Sequence, residues 1–282
     1  MPSCFAARPT AYRSANDLVP RWDPRRSAMS SRPPADRNVL GQIEASLLEP
    51  AAPAVFTPEE IEGLPEPVQR YFTAAIRPGT PLARSARLTM RGQIKLGTWM
   101  PFRAREVLAP HSGFVWRARV AGLVTGHDRY ANGTGVLDFR LARLVRVAHA
   151  EGPDTSRAAA ERAGGEGLWL PCALLPRFGV AWSAHSDVDL RARFVVGGHP
   201  IEVRWVIDAA GLVTSLVFDR WYQPDAGGAW RIARFGGAVT ECASFGGLTI
   251  PTEGTFGWHY GTDRWPEGEF FRFRITALNP VS

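Results

Sequence analysis

Ser186-Asp187-Val188-Asp189-Leu190-Arg191-Ala192-Arg193-Phe194-Val195-Val196 carries the pattern on which the fold turns. Val188, Leu190, Ala192 and Phe194 alternate with Asp187, Asp189, Arg191 and Arg193. A period of two sorts side chains onto two faces only when the chain is extended, so the stretch predicts a half-buried strand. The pattern recurs. Phe114, Trp116, Ala118 and Val120 oppose Arg117 and Arg119, and Ile201, Val203, Trp205 and Ile207 oppose Glu202, Arg204 and Asp208. Phe271, Phe273, Ile275 and Ala277 alternate with Arg272, Arg274 and Thr276. Turn-forming pairs separate such runs: Asn132-Gly133, Gly197-Gly198, Ala210-Gly211, Gly227-Gly228 and Gly246-Gly247. Parallel neighbours would need long crossovers, and this spacing leaves no room for them. The expectation is a mainly β, α+β protein. From Ser85 onward about ten strands form one large curved antiparallel sheet, a half-barrel, in a β domain over residues 81–282.

Two helical regions break the alternation. Residues 39–80 form an N-terminal helical segment: Val39, Leu40, Ile43, Leu47 and Leu48 fall at helical spacing. Thr57, Pro58 and Glu60 then stand as N-cap, first helical residue and capping-box partner of a second start. Glu66 to Ile76 continues as a short helix. The other region is an insert at 154–176, opening with the helix-forming Thr155-Ser156-Arg157-Ala158-Ala159-Ala160-Glu161-Arg162 and resuming after Gly164-Gly165 with Trp169, Pro171, Leu174 and Leu175. Helices between two runs of antiparallel strands predict a lid or plug over a curved sheet. Eight of the ten tryptophans lie between Trp116 and Trp265, and rings lining one concave face would make an apolar cavity. The same rings could equally fill an ordinary core.

Charge says less than its total implies. The chain is +6 at neutral pH, and Lys95 is the single lysine among 33 basic residues. Residues 1–40 hold seven arginines against Asp17, Asp23 and Asp36, which leaves the remainder near neutral. Nucleic-acid binders concentrate positive charge on a face of the folded part, so no specific nucleic-acid partner is expected. Residues 1–38 read as a disordered basic Pro/Arg-rich tail, suited at most to weak peripheral contact with a membrane. Met29 is the expected true start. No apolar run reaches the ~18 to 20 residues of a transmembrane helix. MPSCFAARPT lacks a secretory apolar stretch, and Cys4, Cys172 and Cys242 have no pairing spacing, so a cytoplasmic location is expected.

Leu64-Pro65-Glu66-Pro67-Val68-Gln69-Arg70-Tyr71-Phe72 resembles the opening motif of a bacterial family known only as a domain of unknown function. Gly92 ahead of Trp99-Met100-Pro101-Phe102, Phe114-Val115-Trp116-Arg117-Ala118, and Arg162 followed by Glu166, Trp169 and Pro171 extend the likeness over residues 60 to 280. In that family the last motif reads Arg-Tyr-Leu-Ala-Glu-x-x-Trp-x-Pro. Here Ala163, Gly164 and Gly165 occupy its middle, which weakens the local helix. The resemblance implies a lineage without an activity. More loosely, the order of helix, strands, helical insert and strands is similar to lipoprotein carriers of the LolA and LolB type, half-barrels that hold acyl chains under a helical lid. Function does not follow from such a likeness.

The standard enzyme signatures are missing: no Gly-x-Ser-x-Gly elbow, phosphate-binding glycine loop, His-Glu-x-x-His or dinucleotide fingerprint occurs. Asp187 and Asp189 share a face, but Arg191 and Arg193 continue it, which reads as a solvated, charge-balanced surface. His127-Asp128 could cooperate only in a loop, because adjacent strand residues point apart. His185 near Asp187 and Asp189 matches no metal spacing, and Cys172 reads as a small buried thiol. No metal and no cofactor are expected. The residues expected to line a ligand site are Arg162, Glu166 and Trp169 from the insert, with Trp116 and Trp205 from strands. The first three are expected at the cavity mouth, choosing the ligand's polar end, although Gly164-Gly165 argues against regular helix between Arg162 and Glu166. The leading function is binding of a hydrophobic small molecule or acyl chain. The alternatives are an enzyme with a carboxylate–histidine set acting on a lipophilic substrate, and a cavity-free structural or interaction module.

Overall fold

The alternating runs do form strands, and they form a single sheet. A computed structural model describes residues 35–48, 50, 53–224 and 228–282. One meander consists of β1 (Ser85–Leu96), β2 (Thr98–Ala109), β3 (Gly113–Val120), β4 (Val124–Ala131), β5 (Thr134–Leu141) and β6 (Val145–Glu151). A second consists of β7 (Ala181–Ala184), β8 (Asp189–Val196), β9 (His199–Ile207), β10 (Val213–Tyr222), β11 (Arg231–Phe245), β12 (Leu248–Trp258) and β13 (Glu269–Val281). β1 pairs with β13 at the centre, giving an antiparallel sheet of 13 strands with β6 and β7 at its open edges.

Thirteen strands stand where about ten are expected from pattern alone. β4, β5 and β6 account for much of the difference, since most of their residues are half-buried and their alternation is faint. Where one face is fully covered the period is clear. Leu190, Ala192, Phe194 and Val196 of β8 are buried, whereas Val188 precedes the strand and is exposed. In β13 the phase slips: Phe273, Ile275 and then Leu278 are buried, because a bulge opposite Thr89 and Met90 adds one residue to the strand. Ala277, expected on the inner face, is only half-buried for that reason. Asn132-Gly133 and Gly197-Gly198 close their hairpins with positive φ at both positions, the geometry of a type I′ turn. Gly227 lies outside the described residues.

Helices cover both faces. α1 (Ala35–Leu47) begins four residues before the expected Val39 and sets Leu40, Ile43 and Leu47 against Val107, Ala109 and Val115 on the convex side. The tail expected over 1–38 lies outside the described residues as far as 34, and 35–38 are the first turn of α1. The start at Thr57 makes only a 3-10 turn, Pro58–Ile61, with no side-chain cap. α2 (Glu66–Ala75) buries Val68, Tyr71, Phe72 and Ala75, the helical spacing, on the concave side. α3 (Pro153–Gly165) and three 3-10 turns, Glu166–Trp169, Pro171–Leu174 and Pro176–Phe178, form the insert. The insert connects the two edge strands, so α3 runs across the concave face and touches strands of both meanders. α4 (Trp265–Gly268) is one turn between β12 and β13.

Helix α3 continues through Gly164-Gly165, against the expectation from propensity. A Cβ at Gly165 would lie 2.3 Å from Phe218 Cζ, and one at Gly164 2.9 Å from Ile201 Cγ2. The two glycines let the helix press onto β9 and β10 more closely than any side chain allows, and that packing outweighs the ~1 kcal/mol propensity cost of each. Among the described residues no helix is long and apolar enough to cross a membrane.

Candidate functional site

Register places three inward residues in one row. Glu106 of β2 faces Trp116 of β3, and Trp116 faces Asp128 of β4. Each belongs to an apolar phase of its strand; Glu106, for instance, follows Phe102 and Ala104 and precedes Leu108, all buried. Arg162 descends onto this row from α3. Its Nη1 donates to Asp128 Oδ2 at 2.6 Å and its Nε to Glu166 Oε1 at 2.7 Å, while Glu106 Oε1 lies 3.7 Å from Nη2. The guanidinium covers the Phe114 ring at 4.3 Å from its centroid. Because α3 is regular to Gly165, Arg162 and Glu166 are true i, i+4 neighbours. Arg162 thereby fastens the insert to the first meander.

The charges nearly cancel. Burial alone would lower the Arg162 pKa, but Glu166, Asp128 and Glu106 together carry it above its ordinary value. Burial pushes the Glu106 carboxyl well above the usual carboxylate range, and the Glu166 charge pushes it further, against the pull of Arg162. Both Glu106 oxygens and Glu166 Oε2 are buried without a hydrogen-bond partner among the described residues. Asp128 and Glu166 both accept hydrogen bonds from Arg162; a second buried cation, Arg220 of β10, forms an ion pair with neither.

Beside this cluster the concave face is hollow. A cavity of about 710 Å³ lies between the insert and the sheet. Its walls are apolar, part aliphatic and part aromatic, with Leu96, Phe139, Phe218, Trp258 and Phe271 as examples drawn from both meanders. Its charged lining residues are Asp128, Arg162, Glu166 and Arg220.

Arg162, Glu166, Trp169 and Trp116 all border this cavity. Trp205 lies apart. Its ring meets Tyr71 and Trp182 at 5.1 Å in edge-to-face packing beneath α2 and is fully buried there. It points to the concave face as its phase requires, at an end of that face already filled by α2. Asp187 is exposed before β8, and its carbonyl accepts from Arg70. Asp189 is buried and takes both oxygens to Arg204 Nε at 2.9 Å. His127 and Asp128 are neighbours on β4 and face opposite ways, so they make no pair; burial lowers the His127 pKa. His185 is exposed, and burial pushes the Cys172 thiol up to about 11. Sequence reasoning passed over Glu106, the separate role of Asp128, and Arg220. Each was announced by one signal, a charge occupying the apolar phase of a strand.

The chain matches, over residues 54–270, the group described as "Family of unknown function (DUF6544)", and it belongs to that family. No curated protein matches it. Three solved structures resemble it. A candidate outer membrane lipoprotein-sorting protein domain from Vibrio parahaemolyticus is 9% identical, with 80% of this chain and 92% of that chain covered and a TM-score of 0.40. A DUF1329 family protein from Desulfovibrio piger is 9% identical over 70% of this chain and 86% of its own, at a TM-score of 0.40. A LolA superfamily protein from Nitrosomonas europaea is 8% identical over 76% and 93%, at 0.41.

Proposed function

We propose that the chain binds a hydrophobic small molecule or an acyl chain between its insert and the concave face of its sheet. One observation carries this reading: about 710 Å³ of space walled by apolar and aromatic side chains. That volume falls in the ~300 to 1,000 Å³ range of small-molecule sites, which combine apolar walls with a few placed polar groups. A cavity-free module would fill that space with its own side chains. The location is read as cytoplasmic because Cys172 and Cys242 stand as free thiols; recovery of the protein from an oxidising compartment would reverse this. Native mass spectrometry of protein purified from its host tests the binding reading. Bound lipophilic mass, displaced by a fluorescent fatty acid, is expected. Repeatedly empty protein that ignores the probe would sink it.

A second reading, an acid–base enzyme with a lipophilic substrate, is favoured by Glu166 on the cavity wall and by the buried Glu106 behind it, whose carboxyl is held well above the usual range. Ligand mass before and after incubation separates the two, since a carrier returns its cargo unchanged.

A further inference from the structure

The ligand's polar end follows from a buried guanidinium with which no carboxylate of the described residues pairs directly. This inference rests on the cavity being a ligand site. Of its four charged lining residues, Arg162 donates to both Asp128 and Glu166. Arg220 does not join them. Its side chain is about nine-tenths buried; Nη2 donates to the Ala158 carbonyl at 3.1 Å, and buried Nε has no acceptor. Among the described residues no carboxylate forms an ion pair with it. The nearby acids are engaged elsewhere: Glu161 accepts from Arg157 Nε at 3.0 Å and from the Trp221 backbone N–H, and Asp128 and Glu166 hold Arg162. What supports the guanidinium is aromatic, with the Phe235 ring 4.6 Å and the Trp258 ring 5.3 Å from it, and both rings wall the cavity. Burial first and Arg162 second lower its pKa to about 10, so it stays charged at neutral pH.

A buried guanidinium without a counter-ion is costly unless something completes it. We infer that Arg220 is the receptor for an anionic head group, so that the ligand is a single-chain amphiphile whose carboxylate or phosphate monoester meets Arg220 while its tail fills the aromatic trough. This moves head-group choice away from Arg162, whose charge is already consumed.

The test is competition for a fluorescent fatty-acid reporter on the full chain, using oleate, dodecyl phosphate, oleyl alcohol, acetate and inorganic phosphate. Oleate or dodecyl phosphate, or both, should displace the reporter at least about tenfold more strongly than oleyl alcohol, because a charge-assisted pair is made only by the anions. Which anion competes better tells carboxylate from phosphate. Arg220→Gln should remove that advantage while leaving oleyl alcohol within about twofold, and Arg220→Lys should restore part of it. Equal binding of oleate, dodecyl phosphate and oleyl alcohol would overturn the Arg220 assignment and leave the cavity reading intact. Displacement by acetate or inorganic phosphate as strong as by oleate would make this a plain anion site and overturn the amphiphile. Failure of every competitor and of the reporter itself would overturn both readings. Should Arg220→Gln not fold, the wild-type series decides alone.

Discussion

At one end of the concave face Trp205, Tyr71 and Trp182 pack with centroids 5.1 to 5.5 Å apart between α2 and the sheet. At the other end Phe235, Trp258 and Phe271 wall a void beneath α3. The strands pass through both ends with the same alternation, so the difference comes from the helices. α2 brings Tyr71 and Phe72 down onto the sheet. α3 buries mostly small residues, Ser156, Ala159, Ala160, Ala163, Gly164 and Gly165, and its longer inward side chains are charged: Glu161 accepts from the Trp221 backbone of β10 and Arg162 donates to Asp128 of β4. A filled core and a binding site can therefore be made from one sheet by changing what its covering helices carry.

The largest effect is expected at the filled end. Trp205→Ala should cost about 3–5 kcal/mol in urea denaturation, since it opens a cavity in close-packed surroundings. Phe271→Ala, at a wall that already faces empty space, should cost about 1–2 kcal/mol and instead change ligand affinity. Equal costs would erase the distinction between the two ends.

Arg162→Met comes next. It removes the tether of the insert and leaves Glu166 and Asp128 without their cation, a loss of about 3 kcal/mol by the same measurement. A negligible change would mean that α3 is held by packing alone.

Gly165→Ala tests the close approach of α3. The added methyl meets Phe218, so a loss of about 1–3 kcal/mol is expected. Gly41→Ala in exposed α1, with nothing within 4 Å of its Cβ, should gain about 0.5–1 kcal/mol. Opposite signs from the same substitution would locate the strain at the helix–sheet contact.

The smallest effect is a pH dependence. Glu106 has a raised pKa in the folded state, so its contribution is complete below the unfolded carboxylate pKa and declines as pH rises toward the folded value. Glu106→Gln, which keeps the shape and removes the buried charge, should raise the Tm by about 2–4 °C at pH 8 and leave it nearly unchanged at pH 4. A variant less stable at pH 8 would mean that Glu106 is needed as an anion.

Much of the candidate site could be read in advance, and the remainder shows why some could not. Arg162, Glu166, Trp169 and Trp116 stand out by type and by their place in an insert or an alternating run. Trp205 has the same local credentials as Trp116, yet α2 covers it; nothing near residue 205 in sequence says so. Glu106 and Arg220 carry a local warning, a charge in an apolar phase, but the warning gains meaning only when the partners are known.

The phases of strands with one fully covered face, the Asn132-Gly133 and Gly197-Gly198 turns, the position of the insert and the existence of α2 follow from the sequence itself, because each depends on side chains within a few residues of one another. Tertiary structure alone decided that Gly164-Gly165 stays helical against Ile201 and Phe218, that Arg162 reaches Asp128 34 residues away, and that one end of the sheet is filled while the other is hollow. Those outcomes are set by which distant side chains meet across the sheet and by the volume they leave between them, quantities that no local period encodes.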